Sequence, residues 1–196
     1  MKSVNTSGEV KQVYLGVGAG GVSSTWVNKA RKRYWLASYV LPDKLTLDLM
    51  ESKAKRGKVD VRLVVSAVTT ETLPTKEYPH IKMKRVATDK GTMHAKFIVV
   101  DDSVLTGSSN WNDFQSINVV VRLRGPVVKH FAGQFNKLWK LKTGAPLLRG
   151  TEAKALITKV VEKNGWSDFL TTVAKRSEAR GYLTVKEQAA LERALK

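Results

Sequence analysis

Apolar runs and amphipathic segments alternate along the first half of this chain, and this alternation restricts its fold more than any other feature. Residues 34–40 are mostly aromatic and apolar, the pattern of a buried strand, and the valine-rich residues 59–65 predict another strand. Between them, Asp43 precedes apolar residues at helical spacing, and Gly57 ends the segment. A strand, a helix and a second strand in this order predict a parallel βαβ unit.

The same patterns continue on both sides of this unit. Further strands are predicted at residues 11–17, 81–87, 93–100, 104–106 and 117–123, and further helices at residues 24–33 and 126–139. We therefore expect an α/β fold with a mixed, largely parallel sheet that is flanked by helices.

Residues 142–150 contain two glycines and a proline, which predicts a linker. No strand pattern follows this stretch. Residues 151–163, 167–180 and 184–195 then predict three short helices. The expected organisation is a domain over residues 1–144 and a small all-helical extension over residues 145–196. The extension is either a helical cap on the core or a module that contacts nucleic acid.

The charge of the chain points to a polyanionic partner. Its 196 residues include 34 Lys and Arg against 17 Asp and Glu, which gives a formal net charge of +17. Such a charge suits nucleic acid, an anionic membrane surface or phosphorylated substrates. There is no cysteine, which excludes disulfides, thiol nucleophiles and zinc ribbons.

The sequence gives no sign of a membrane protein. The first residues are polar where a signal peptide needs an apolar core, and the apolar runs are too short to cross a bilayer. We expect a soluble, cytoplasmic protein that does not bind membranes.

Residues 93–112 carry the clearest chemistry. His94 and Lys96 lie two apart at the start of a predicted strand, so their side chains share one face. An imidazole beside an ammonium group suits attack on a phosphodiester, because the cation neutralises the non-bridging oxygens. No His, Asp and Glu cluster has metal-ligand spacing, so we expect neither a metal nor a cofactor.

A turn at Asp101 sends the chain back toward His94. The returning strand ends at Gly107, whose small size allows close backbone approach to a phosphate. Ser108 and Asn110 follow, and both can donate hydrogen bonds to phosphoryl oxygens. Asp101 itself is expected to hold the turn, with substrate contact as the alternative.

The pattern His94-x-Lys96, Asp101 and Gly107-Ser108-x-Asn110 resembles the HKD motif of the phospholipase D superfamily. The resemblance covers roughly residues 10–143 and includes Asn118, which is similar to the Asn of the strand after the motif. A single motif in a short chain most resembles the small bacterial phospholipase D-type endonucleases.

The resemblance implies a metal-independent endonuclease that acts as a homodimer through a phosphohistidine, on DNA more readily than RNA. Its catalytic residues would be His94, Lys96, Ser108 and Asn110, with Asp101, Gly107 and Asn118 in support. Two rivals are a DNA-binding protein that has lost turnover and a lipid-cleaving member of the same superfamily.

The motif departs from the family pattern at two places. Five residues separate Asp101 from Gly107, one fewer than usual, and Ile117 stands where the family's nucleases usually place a Glu that orients the His. Gln115 and Asp113 are the two candidates for that orienting role. If neither serves, the rate suffers.

Three basic runs are candidates for contacting a nucleic-acid backbone without reading its sequence, with solvated surface as the alternative. Their members are Lys29, Arg31, Lys32, Arg33, Lys55, Arg56, Lys58, Lys82, Lys84 and Arg85.

Gly16, Gly18 and Gly21 match the glycine spacing of dinucleotide-binding loops. The acidic residue that such sites carry about 20 positions later is missing, because Asp43 begins a new helix. We interpret these glycines as flexibility beside a phosphate site.

Overall fold

The computed structural model of the chain describes residues 7–68, 73–87, 93–112, 115–141 and 147–196. Its strands are β1 (Glu9–Val17), β2 (Arg33–Ser38), β3 (Asp60–Ser66), β4 (Lys82–Val86), β5 (Phe97–Val100), β6 (Ser103–Gly107) and β7 (Ile117–Arg124). Its helices are α1 (Val22–Lys29), α2 (Lys44–Lys55), α3 (Val127–Lys140), α4 (Gly150–Asn164), α5 (Asp168–Arg180) and α6 (Val185–Ala194).

The strands form one mixed sheet in the order β1-β7-β6-β5-β2-β3-β4. The α/β class and the mixed sheet are confirmed. The expectation of a largely parallel sheet is wrong, because only β2–β3 and β3–β4 pair in parallel and the other pairs are antiparallel. One of these antiparallel pairs has a local reason: the turn at Asp101 and Asp102 joins β5 directly to β6, and a tight turn can only connect antiparallel strands.

The start of α2 follows from its sequence. The Asp43 carboxylate accepts a hydrogen bond from the backbone N–H of Thr46 at 2.9 Å, as the predicted cap requires. Gly57 lies just beyond the helix with φ 69°, a left-handed conformation that glycine adopts without strain.

Helices cover both faces of the central strands. Trp26 and Val27 of α1 and Met50 of α2 pack on one face. Phe135 and its neighbours in α3 pack on the other face, against Val99 of β5. The core therefore holds β5 rigidly between two layers, and β5 is the strand that follows His94.

One apolar area of the sheet has no helix over it. The cross-strand pairs Leu15–Val119 and Val17–Ile117, together with Val13, put five apolar side chains on one face of β1 and β7. They are 40–75% exposed. We call these five side chains the edge face.

The three C-terminal helices have a small core of their own, which includes Ile157, Leu170 and Leu191. The unit is joined to the sheet at Leu147, whose backbone N–H donates to the carbonyl of Ala67 at 2.9 Å. The helices agree with the predicted segments, and the division into two domains at residue 144 stays a prediction. Residues 142–146 of the predicted linker lie outside the described residues.

Gly16, Gly18 and Gly21 do not form a dinucleotide-binding loop. Gly16 pairs with Asn118 across an antiparallel edge, whereas the dinucleotide loop follows a parallel strand of a βαβ unit. No helix in the described part of the chain is both long and apolar enough to span a membrane.

Candidate active site

A cleft of about 510 Å³ opens at one end of the sheet. It is lined by His94, Lys96, Thr106, Gly107, Ser108 and Asn110. Four of these residues are the ones that the sequence analysis assigned to catalysis. They meet because Phe97 of β5 pairs with Thr106 of β6, so that the start of one strand lies beside the end of the other.

His94 and Lys96 lie just before β5 rather than within it. The predicted strand at residues 93–100 begins only at Phe97, where its pairing with Ala37 of β2 and Thr106 of β6 starts. Their side chains are nevertheless adjacent, because the Lys96 Nζ atom lies 3.0 Å from both ring nitrogens of His94. The segment thus presents a nucleophile and a cation to the cleft.

The Tyr39 ring contacts both His94 and Lys96 and helps to position them. Its ring meets the His94 ring edge to face with centroids 4.7 Å apart, and the Lys96 Nζ atom lies 5.8 Å from the Tyr39 centroid. Tyr39 directly follows β2, and its ring was not recognised as part of the site from the sequence.

The surroundings of His94 favour its neutral form. Burial lowers the pKa of the His94 imidazole, and the positive charge of Lys96 lowers it further. Burial also lowers the pKa of the Lys96 ammonium group. A neutral imidazole keeps a lone pair available for attack at neutral pH.

The backbone of the cleft is closely packed around Gly107. A Cβ atom at this position would lie 1.9 Å from the carbonyl oxygen of Val119, so any side chain would push β6 away from β7. The Thr106 hydroxyl donates to the carbonyl of Lys96 at 3.1 Å and holds the start of β5. Thr106 is a second site residue that the sequence analysis missed.

Ser108 is held by β7. Its hydroxyl donates to the side-chain oxygen of Asn118 at 2.9 Å and accepts from the backbone N–H of Val119 at 3.0 Å. The hydroxyl hydrogen is therefore engaged by Asn118 instead of pointing freely into the cleft. Asn118, which is 6% exposed, acts here as the support of Ser108.

Asn110 lies two residues after Ser108, in the loop that follows β6. The Ser38 hydroxyl at the end of β2 donates to its carbonyl oxygen at 3.0 Å and fixes the backbone there. The side-chain oxygen Oδ1 of Asn110 is buried and has no hydrogen-bond partner among the described residues. Ser38 is a third residue that the sequence analysis did not identify.

Asp101 lies at the opposite end of β5 from His94. Its carboxylate accepts hydrogen bonds from the backbone N–H groups of Arg31, Lys32 and Arg33 at 2.9–3.0 Å. Burial raises the pKa of the Asp101 carboxyl, but these three hydrogen bonds outweigh burial and hold the pKa below its ordinary value. Its φ of 48° agrees with the turn that the sequence predicted.

The residues that could replace the family's orienting Glu remain unassigned. Gln115 is exposed two residues before β7, and Asp113 lies outside the described residues. Ile117 is 75% exposed and belongs to the edge face. The role of Gln115 stays a prediction.

Two of the three basic runs lie at the end of the sheet opposite the cleft, and the third runs along β4 as far as Arg85, which pairs with Val65 near the end of β3. Residues 29–33 precede β2 and residues 55–58 precede β3, whereas the cleft is at the other end of these parallel strands. Lys82 begins β4 at the same end as the other basic runs, where it pairs with Asp60. β2 is six residues long and rises about 3.3 Å per residue, so the basic run before β2 lies roughly 20 Å from the cleft.

Several of the predicted phosphate contacts are occupied within the protein. Arg33 donates to the carbonyl of Asp101, and Lys84 donates to the carbonyl of Trp139 at 2.6 Å. Lys29 lies over the Trp26 ring. Arg85 is 6% exposed, and burial lowers its pKa, so it does not belong to the exposed surface on which the sequence analysis placed it.

Comparison with known proteins identifies the family. The family model described as "Cardiolipin synthase, PLD-like domain" matches residues 25–139, which is more than half of the chain. The chain belongs to the phospholipase D-like family. As a member, it is a phosphodiesterase of the phospholipase D type. The matched range holds the whole cleft and ends before α4.

Three solved structures share the fold. NucT from Helicobacter pylori has a TM-score of 0.61 and 16% identity, covering 70% of this chain and 99% of NucT. Nuc, a phospholipase D family member from Salmonella typhimurium, has a TM-score of 0.57 and 17% identity, covering 68% and 98%. TrmBL2, an archaeal chromatin protein, has a TM-score of 0.50 and 16% identity, covering 67% and 53%.

No curated protein sequence matches the chain. The structural likeness at these identities shows the fold alone. NucT and Nuc are covered almost completely, whereas about two thirds of this chain is covered, so part of this chain has no counterpart in either structure.

Proposed function

We propose that this phospholipase D-like phosphodiesterase cuts nucleic acid, with DNA as its favoured substrate and little sequence preference. The observation that carries the proposal is the cleft in which the Lys96 ammonium lies 3.0 Å from the ring nitrogens of His94, beside Asn110. The pair supplies a nucleophile and a charge-stabilising cation, so the reaction needs no metal ion.

In the first step, an imidazole nitrogen of His94 attacks the phosphorus atom. A P–N bond forms and the bond from phosphorus to the leaving oxygen breaks. His94 of the partner subunit, in its protonated form, gives its proton to that oxygen. The product of this step is a phosphohistidine on one protomer.

In the second step, water attacks the phosphohistidine. His94 of the partner subunit takes a proton from the water, the new P–O bond forms, and the P–N bond to His94 breaks. The lone pair returns to the imidazole, and the enzyme is ready for another cycle.

Lys96 and Asn110 contact the phosphoryl oxygens through both steps. Lys96 supplies positive charge as negative charge accumulates, and the Asn110 carboxamide supplies a hydrogen-bond donor. Ser108 holds the loop through its bonds to Asn118 and Val119, and it reaches phosphate only by giving up the bond to Asn118.

The mechanism requires a homodimer, because each chain has one histidine in the cleft. The edge face supports this step of the proposal. It begins at Val17 and Ile117, next to Asn118 and hence beside the cleft, and its side chains are uncharged. Two chains that each carry a charge of +17 repel one another, so an apolar face is the surface on which they can meet.

Nucleic acid is favoured as the substrate by the charge of the chain and by one neighbour. TrmBL2 is an archaeal chromatin protein with a novel mode of DNA binding, and its fold is similar to this one. A second candidate function is DNA binding without turnover. It is favoured by Ile117, which offers no carboxylate where the family pattern has one.

The experiment that tests the mechanism is capture of the covalent intermediate. Enzyme is quenched during turnover of DNA labelled with radioactive phosphorus, and the protein fraction is examined for label that is lost in acid and kept in alkali. We expect label on wild type and none on His94→Ala. His130→Ala is the matched control, because His130 lies on α3, outside the cleft, with its ring nitrogen beside the side chain of Gln134.

Label that persists in His94→Ala contradicts the mechanism. Cleavage by wild type without any covalent label does so as well. DNA binding by wild type with neither label nor cleavage favours the second candidate function instead.

A further inference from the structure

Two neighbouring connections at the end of the sheet opposite the cleft carry five exposed cations. Arg31 and Lys32 lie between α1 and β2, and Lys55, Arg56 and Lys58 lie around the end of α2 and the connection to β3. We call these five residues the remote basic patch. The two connections touch, because the backbone N–H of Asp60 donates to the carbonyl of Lys32 at 2.9 Å.

The cations of the remote basic patch lack acidic partners. Among the described residues, none of the five forms an ion pair. Two carboxylates at this end form ion pairs with other cations: Asp60 pairs with Arg62 and Lys82, and Asp102 pairs with Arg124. Asp101 is matched too, by the three backbone N–H groups that fix it. The patch therefore keeps its full positive charge.

The patch has a shape that admits a chain of phosphates. Lys32 and Lys58 line one cleft of about 450 Å³, together with Lys82. Cations on separate loops around such a groove can contact successive phosphates of one backbone. None of the contacts needs a base edge, so binding there is independent of sequence.

The position of the patch is what distinguishes it from the substrate cleft. The roughly 20 Å along β2 places it too far from His94 for both to hold the same phosphodiester. Because the cleft and the patch open at opposite ends of the sheet, nucleic acid at the patch is a different segment from the one being cut.

From these observations, and resting on the proposed function, we infer that the remote basic patch is a second binding surface for the backbone of nucleic acid. A membrane surface fits the patch less well. Among the described residues, no large exposed apolar side chain belongs to either connection, so nothing is placed to enter the acyl region beside the charges.

Binding measurements test the inference without requiring turnover. All proteins carry His94→Ala, and their affinity for a long DNA duplex is measured over a range of salt concentrations. The patch variant is Arg31→Glu/Lys32→Glu/Lys58→Glu. The control is Lys76→Glu/Lys137→Glu/Lys140→Glu, which makes the same change in net charge on exposed positions outside the three basic runs and the C-terminal helices. Circular dichroism and thermal unfolding check that each variant is folded.

We expect the patch variant to lose roughly tenfold or more in affinity at low salt, and its slope of log affinity against log salt to fall by about 2–3. The control should lose much less on both measures. Equal losses in the two variants, or no loss in the patch variant, overturn the inference. The same proteins are also tested for binding to vesicles of phosphatidylglycerol and phosphatidylcholine in equal parts. A patch variant that keeps its duplex affinity but no longer binds these vesicles overturns the inference in favour of a membrane surface. If wild type binds DNA through the patch but never cuts it, the proposed function fails and the inference stands.

Discussion

At the scale of single residues, the protonation state of His94 depends on burial and on one neighbouring charge. Both lower the pKa of the imidazole, burial being the larger cause and Lys96 the second. A nucleophile whose pKa is lowered stays neutral to a lower pH than an ordinary histidine. The acid limb of the pH–rate profile is therefore expected below the usual histidine range.

Removing the Lys96 charge should move that limb. In Lys96→Met, the pKa of His94 rises part of the way to its ordinary value, because burial remains, so the acid limb shifts to higher pH. The rate also falls by about 100-fold, since a charge-stabilising group is lost. The rate of hydrolysis of bis(p-nitrophenyl) phosphate, measured as a function of pH, gives both the position of the acid limb and the fall in rate. Lys96→Arg keeps the charge and should keep the position of the limb. An unshifted limb in Lys96→Met contradicts this account of His94.

Asp101 gives a second prediction, on stability. Its pKa is lower in the folded chain than in the unfolded chain, so its contribution to stability is present above the unfolded pKa and is lost as pH falls through the folded pKa. Asp101→Asn removes the charge and tolerates the left-handed backbone.

We expect Asp101→Asn to lower the free energy of unfolding by about 1–2 kcal/mol at neutral pH, after allowance for solvent screening of this half-buried group. The difference from wild type should vanish below the pKa of the folded-state carboxyl. Chemical denaturation at both pH values measures it. A difference that does not change with pH would assign the effect to something other than the charge.

Spacing along the chain predicted the residues that act within a few positions of one another. His94 and Lys96 share a side because they are two apart, and Asp101 holds a turn. Tyr39 could not be predicted in the same way. Its contact with His94 exists only because β2 and β5 are neighbours, and nothing in its local sequence distinguishes it from a core aromatic.

At the scale of elements, the strand patterns placed every strand but not every direction. The apolar runs at β2 and β3 predicted a parallel pair correctly. The edge strand β1 and its partner β7 run antiparallel, which depends on long-range pairing rather than on a local signal. Likewise, β5 is shorter than the strand predicted at residues 93–100, because its partners end at Ser38 and Gly107.

The edge face leads to a prediction about assembly. Each of its side chains is worth about 1–2 kcal/mol when it leaves water, so a charge there should prevent two chains from meeting. Leu15→Asp is expected to be monomeric in sedimentation equilibrium and to lose phosphodiesterase activity, since Leu15 is 74% exposed in the edge face. Leu45→Asp is the matched control, because Leu45 is 58% exposed on α2 and lies outside the edge face. A fully active monomer would contradict the shared site.

At the scale of the whole molecule, the positive charge lies at two places, the cleft and the remote basic patch. The sequence analysis connected the basic runs with the phosphodiester site, because both lie in one segment of the chain. The parallel direction of β2 and β3 places the first two runs at the end of the sheet opposite His94, while the third run extends along β4. Composition predicted the class of partner, but only the topology of the sheet locates the charge relative to His94.

The central claim is that His94 performs phosphodiester cleavage of nucleic acid without a metal ion. It is tested most directly by incubating supercoiled plasmid with wild type and with His94→Ala in excess EDTA, and by following nicked and linear DNA over time. The account predicts cleavage by wild type and none by His94→Ala. Cleavage by His94→Ala at the wild-type rate, or loss of wild-type cleavage on chelation, would contradict it.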